Sequence, residues 1–197
     1  MTKIWHIYFI LGISGSWKWT LIKNLKNLQG DQFHFPYSYT TRTRRPGETD
    51  GNTVYKFVTQ GEFFAGVEAG EFLEYAHVHN IQYSGTKMKD VYEEGVKKGK
   101  IVIKEIDFKG ISTIRQERPD FDSYYSSVFL NIPKERLSER IEQRWVFMSD
   151  EEYHHRMKSA EIEEEQLSRI CDYEIDATLS PEKVLEKFLE IIRYWEL

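Results

Sequence analysis

The chain has 197 residues, 40% of them apolar and 30% charged, and carries a formal charge of −5. That length suits one domain with a sizeable core, and the acidic balance argues against a general nucleic-acid binder. No apolar run approaches the ~20 residues of a membrane span, and a lone Cys171 excludes an internal disulfide and suits a reducing cytoplasm.

In chain order, Ile4–Leu11 reads as a buried strand that stops at Gly12, and a helix-like stretch, LIKNLKNLQ, begins at Leu21. Between them lies Gly12-Ile13-Ser14-Gly15-Ser16-Trp17-Lys18. Strand, glycine loop, lysine, helix is the construction of a phosphate-binding loop. Lys18 then supplies a point charge beside the positive end of a helix; otherwise it is a surface lysine at a helix start. The usual pattern has glycine before the lysine and a small residue after it, whereas Trp17 and Trp19 flank Lys18 here.

From Phe35 to Tyr83 the chain turns rich in Tyr, Thr, Arg and Gly and reads as an insert on the main sheet. Arg42, Arg44 and Arg45 follow a run of hydroxyls and precede Gly47-Glu48. Such a cluster is either a solvated loop or an anion site, since guanidinium forks grip phosphate. Thr59 to Glu62 forms a capping box that predicts a helix start. Glu74 lies inside the strand-like run Phe72–Val78, where a carboxylate either accepts from a purine N–H and amino group or faces solvent. His77 and His79 share one face of that run. With no third ligand in reach, solvent exposure is the expected role rather than metal binding.

Ile101–Ile106 is a further buried strand, followed by Asp107 and Gly110. Ligands in open α/β sheets collect at the carboxyl ends of strands, which places Glu105 and Asp107 to meet hydrated Mg2+ or a substrate donor, or simply to solvate the strand end. Ser126–Leu130 and Tyr173–Ala177 complete the strand-like runs. Arg136 to Arg156 is arginine-studded, with the aperiodic stretch Trp145-Val146-Phe147-Met148 in its middle, and fits a mobile lid. Its Arg140, Arg144 and Arg156 either close on a transferring phosphoryl group or pair with nearby glutamates. Ser149 to Glu152 is a second capping box, and Ser180-Pro181 marks the last helix start. That helix carries Val184, Leu185, Phe188, Leu189, Ile191 and Ile192 on one stripe. Strands alternating with helices predict an α/β fold with a parallel sheet flanked by helices.

Taken together, GISGSxKxTL, SYTTRTRRPGETDG, GEFLEYA, IDFKG, the arginine-rich segment and CDYEI resemble guanylate kinase over nearly the whole chain, with the TTR..RPGE block the most specific piece. The resemblance implies one domain over 1–197. Its core is a five-stranded parallel sheet (1–34, 86–135 and 157–197), with a mixed α/β GMP-binding insert (35–85) and a helical lid (136–156). It implies phosphoryl transfer from MgATP to GMP or dGMP, by a cytoplasmic monomer or homodimer with no nucleic-acid or membrane partner.

Carried over by position, Gly12, Ile13, Ser14, Gly15, Ser16, Trp17, Lys18, Trp19 and Thr20 form the ATP side, with Lys18 on the phosphates. Ser38, Arg42, Arg45, Tyr55 and Tyr83 match the GMP phosphate and ribose side, and Glu48 braces it. Glu74 and Asp107 match the carboxylates that read guanine. The turn Tyr83-Ser84-Gly85-Thr86 departs from the common Tyr-Gly-Ser/Thr, which leaves open which hydroxyl meets the base. Thr20 and Glu105 fall where Mg2+ is met, Glu105 through water, and Arg140, Arg144 and Arg156 match arginines that stabilise the transferred group.

Against that pattern, Trp17, Trp19 and Trp145 occupy positions expected to hold glycine or another small residue, and Trp5 also falls in a frequent glycine slot. With glycines restored the loop reads GISGSGKGTL. The expectation is a gene whose UGA codons specify glycine, here read as tryptophan, in a chain with weak ATP binding and an intact fold; the alternative is a natural loss of catalysis, with the fold kept as a non-catalytic guanylate-kinase-like binding module. Indoles beside Lys18 are expected to take room that donor phosphate needs.

Overall fold

The computed structural model describes residues 6–13, 15–28, 31–49, 53–78, 82–133, 136–137, 157–158 and 164–194. Ser14, Arg140, Arg144, Arg156, Trp5, Trp145, His79 and the Ser149 capping box lie outside the described residues.

The main sheet is built on β1 (Ile7–Leu11), whose five residues are all buried. Its neighbours run parallel: β7 (Ile101–Glu105) on one side and β8 (Tyr125–Asn131) on the other. Outside these lie β2 (Phe33–His34) and β9 (Tyr173–Asp176), giving the order β2-β7-β1-β8-β9. Alternation along β1 explains why the run is apolar throughout: Tyr8 and Ile10 enter one core layer, and Ile7, Phe9 and Leu11 enter the other. Two helices border the first layer, α1 (Lys18–Asn27) through Leu21, Ile22 and Leu25, and the C-terminal helix Pro181–Tyr194 through Val184, Phe188 and Ile192.

Phe72–Val78, one of the five strand-like runs of the sequence, does not join this sheet. It is β5 of a second, four-stranded sheet ordered β4-β3-β6-β5, with β3 at Ser38–Thr40, β4 at Tyr55–Phe57 and β6 at Gln82–Lys87. The fifth parallel strand is instead Phe33–His34, only two residues long and too short to show any period. Helix α2 (Gln60–Glu68) covers the second sheet. It begins at the expected capping box: Thr59 accepts from the Glu62 backbone while the Glu62 carboxylate accepts from the Thr59 backbone.

Two short links set the site. Residues 35–37 carry the chain from β2 into β3, and α3 (Met88–Tyr92) returns it toward β7. After β7, α4 (Phe108–Glu117) starts with Asp107 as its N-cap, accepting from the Gly110 N–H at 2.7 Å.

Candidate active site

The loop after β1 is shaped by close approach. A Cβ on Gly12 would lie 2.3 Å from Ser16 Oγ and 3.0 Å from the Leu130 carbonyl, so only glycine fits. Lys18 opens α1, with no acidic residue in the first turn to offset the positive helix end. Its Nζ donates to the carbonyls of Gly12 at 2.5 Å and Ile13 at 3.0 Å. Glu105 lies 3.7 Å from the same nitrogen, because the β1–β7 register sets Ile10 beside Glu105.

Trp17 caps α1 at φ 64°, ψ 12°, and is the one non-glycine residue with positive φ among those described. It is 37% exposed, and its indole does not line the cleft below. Trp19 is 60% exposed and does line it. The two residues therefore stand differently: Trp17 carries a left-handed backbone at the helix start, and Trp19 lines the cleft.

That cleft, about 310 Å3, joins the two sheets. Gly12, Lys18 and Trp19 form its loop side. Ser38, Tyr55, Glu74, Ser84 and Gly85 come from the insert, and Lys104, Glu105 and Asp107 from the end of β7. Sequence positions far apart, Lys18, Glu74 and Asp107 among them, thus meet around one space.

On the insert side, pairing of Glu74 with Thr86 across β5 and β6 sets up a buried hydrogen bond, Thr86 Oγ1 donating to Glu74 Oε1 at 2.6 Å. Glu74 is only 7% exposed. Burial pushes its carboxyl up to about 7, opposed by the Thr86 bond and the Lys104 charge and reinforced by Asp107. The solvent-facing role left open for Glu74 is thereby excluded. Gly85 is held between strands: a Cβ there would sit 2.7 Å from the Glu74 carbonyl and 2.8 Å from the Phe72 ring.

Arg42 is held by its own neighbours in the insert. Its guanidinium grips Glu48 through two bonds of 2.8 and 2.9 Å and lies over the Tyr55 ring, 4.9 Å from its centroid. The Arg45 N–H also donates to Glu48 at 2.7 Å. These donors hold the Glu48 carboxyl at about 2.

Tyr83 stands elsewhere than the sequence suggests. It stacks on His77 at 4.5 Å and packs against Phe63 and Phe64 of α2, while Ser84 faces the cleft. Successive residues of a strand point to opposite faces, and here Glu74, Ala76, Gln82 and Ser84 take the cleft side. Thr86 is buried with its hydroxyl on Glu74.

A guanylate kinase family model matches residues 5–193. The chain belongs to the guanylate kinase family. A guanylate kinase of Helicobacter pylori strain J99 is 38% identical over 154 residues, 74% of this chain and 73% of that one. One from Sulfurimonas denitrificans is 40% identical over 143 residues, covering 72% of this chain and 66% of its own. The crystal structure of guanylate kinase from Anaplasma phagocytophilum shares the fold, with a TM-score of 0.72 at 23% identity, over 98% of this chain and 87% of that one.

Within this family member, sequence reasoning missed Lys104. It is 5% exposed, donates to Ser38 Oγ at 2.5 Å and to the Pro36 carbonyl at 3.4 Å, and burial pushes its ammonium down to about 8. The signal was present as a lysine inside the apolar run IVIKEI. Among the described residues no cluster of three metal-binding side chains occurs, and no helix is long and apolar enough to cross a membrane. Burial pushes the Cys171 thiol up to about 12, which keeps it unreactive.

Proposed function

We propose that this chain carries the site of an ATP:GMP phosphotransferase, in a core, GMP-binding insert and lid, acting in the cytoplasm. The observation that carries this reading is the shared cleft: the phosphate-loop lysine stands across from Glu74, Ser38 and Tyr55. In the reaction a phosphate oxygen of GMP attacks the terminal phosphorus of ATP, and ADP leaves. Phosphoryl transfer asks the protein mainly for alignment and for cations around spreading negative charge. Ser38, Arg42, Arg45 and Tyr55 hold the acceptor phosphate. Ionised Glu74 accepts from the guanine N–H and amino group, with Asp107 beside it. Lys18 leaves the loop carbonyls for the donor phosphates, and Arg140, Arg144 and Arg156 close on the transferred group.

The loop is compatible with a phosphate and its cation: a cradle only glycine permits at position 12, and a buried Ser16 hydroxyl for which no partner is described. Mg2+ carried with ATP would be held by the Thr20 hydroxyl and, through water, by Glu105. When bound it neutralises charge on the phosphates. A coupled assay of ADP release tests the reading. GMP as the preferred acceptor over AMP, CMP and UMP supports it; equal rates for all four oppose it.

Trp17 at φ 64° favours a second statement about the chain as written. A bulky residue in the left-handed region costs about 1–2 kcal/mol, and Trp19 occupies the cleft wall beside Lys18. ATP binding is therefore weak and turnover low, and the molecule behaves as a GMP-binding module. The left-handed backbone at position 17 also supports UGA codons that specify glycine. TGG at codons 17, 19 and 145 would end that idea, and Trp17→Gly combined with Trp19→Gly restores turnover if the two tryptophans are what impair the loop.

A further inference from the structure

Lys104 is a charged residue in a place that disfavours charge. It lies on β7, which is flanked by β2 and β1, and is itself buried, yet it fronts the cleft. Its direct hydrogen-bond partners are neutral oxygens, Ser38 Oγ and the Pro36 carbonyl. Glu74, Glu105 and Asp90 act on it through space. Taking an ammonium out of water costs several kcal/mol, and neutral partners offset only part of that. An apolar side chain in the same slot would make the empty protein more stable. The arrangement becomes favourable when an anion enters the cleft.

The neighbourhood indicates which anion. Ser38, which Lys104 touches, is among the groups assigned above to the acceptor phosphate. The opposite wall at Ser84 presents only a short hydroxyl, since Tyr83 faces α2. The Tyr83 hydroxyl is thus turned away from this space, while the flexible four-carbon amine of Lys104 fronts it beside Ser38 and Tyr55. We propose that Lys104 is a further binding residue of the acceptor site, its ammonium passing from Ser38 and the Pro36 carbonyl onto the phosphate of the bound nucleoside monophosphate. This rests on the acceptor reading of the cleft. The competing role is a strut that ties β7 to the link between the sheets, which would support base and phosphate alike.

Calorimetric titration with GMP and with guanosine separates these roles, and it reads binding alone, so Trp17 and Trp19 do not obscure it. Wild type is expected to bind GMP more tightly than guanosine. Lys104→Met is expected to weaken GMP about tenfold or more, the usual loss of a charge-assisted hydrogen bond, and to leave guanosine unchanged. Lys104→Arg, which keeps the charge, is expected to recover part of the GMP affinity. Unchanged GMP binding in Lys104→Met overturns the proposal alone, as does an equal loss for both ligands, which is what a strut produces. Wild type that binds GMP no better than guanosine overturns the acceptor reading with it. Should the variants fail to fold, a crystal structure of wild type with GMP decides: Nζ on a phosphate oxygen supports the proposal, and Nζ still on Ser38 and Pro36 overturns it.

Discussion

The Thr86 hydroxyl donates to Glu74 Oε1 at 2.6 Å, and both residues are buried in the insert. With the Thr86 backbone bond beside it, this leaves Glu74 a buried carboxylate on the wall of the cleft, where the proposed function has it accept from the guanine N–H and amino group. Because burial raises its carboxyl to about 7, proton uptake should compete near neutrality with the base binding proposed for it. GMP affinity should fall up to about tenfold per unit as pH drops below that value. Glu74→Gln should bind GMP more weakly and lose that part of the pH dependence, while titration of the GMP phosphate itself remains. Calorimetry from pH 5.5 to 8.5 checks both.

The same shift has a stability consequence of opposite sense. A carboxyl raised above its unfolded value favours the folded state while protonated. Its contribution is full below the unfolded pKa and is lost as pH rises through about 7. Glu74→Gln should therefore gain roughly 1–3 kcal/mol relative to wild type at pH 8, and little at pH 4.5. Urea denaturation at the two pH values measures the difference; a gain that is no larger at pH 8 contradicts the assignment.

Trp17 and Trp19 differ in backbone, and glycine and alanine tell them apart. At position 17, with φ 64°, the glycine variant should be more stable than the alanine variant by about 1 kcal/mol. At position 19, within α1, the order should reverse by about 0.5–1 kcal/mol. Comparing Gly with Ala cancels the loss of the indole itself. Chemical denaturation of the four variants supplies the ranking.

The Arg42–Glu48 pair holds the guanidinium over the Tyr55 ring. Removing the brace charge with Glu48→Gln should raise the GMP dissociation constant several-fold, through a guanidinium less confined before binding. Guanosine affinity should stay the same. A parallel loss for guanosine would assign Glu48 to the insert as a whole rather than to the phosphate.

At Gly85 the added methyl of Gly85→Ala would meet the Glu74 carbonyl at 2.7 Å and the Phe72 ring at 2.8 Å. Neither yields without shifting β5 or β6, so a loss of about 1–3 kcal/mol is expected. A thermal melt within a degree or two of wild type would show that the strands part more easily than their packing implies.

Much of this protein was legible along the chain, where the cause is local. The strand before Gly12, the lysine at a helix start, the Thr59–Glu62 box and the apolar stripe of the last helix each depend on a handful of consecutive residues. So did the misfit of Trp17, since a position that wants positive φ is marked by its neighbours. Tertiary structure alone decided the rest. Phe33–His34 becomes a strand only because β7 offers it hydrogen bonds. Glu74 is buried because Thr86 lies opposite, and Tyr83 turns away from the cleft because strand parity is set by pairing. The tilt of Lys104 toward Ser38 requires the β2–β3 link to pass above β7. Periodicity and capping are properties of neighbours in sequence, whereas burial, facing and charge environment are properties of neighbours in space.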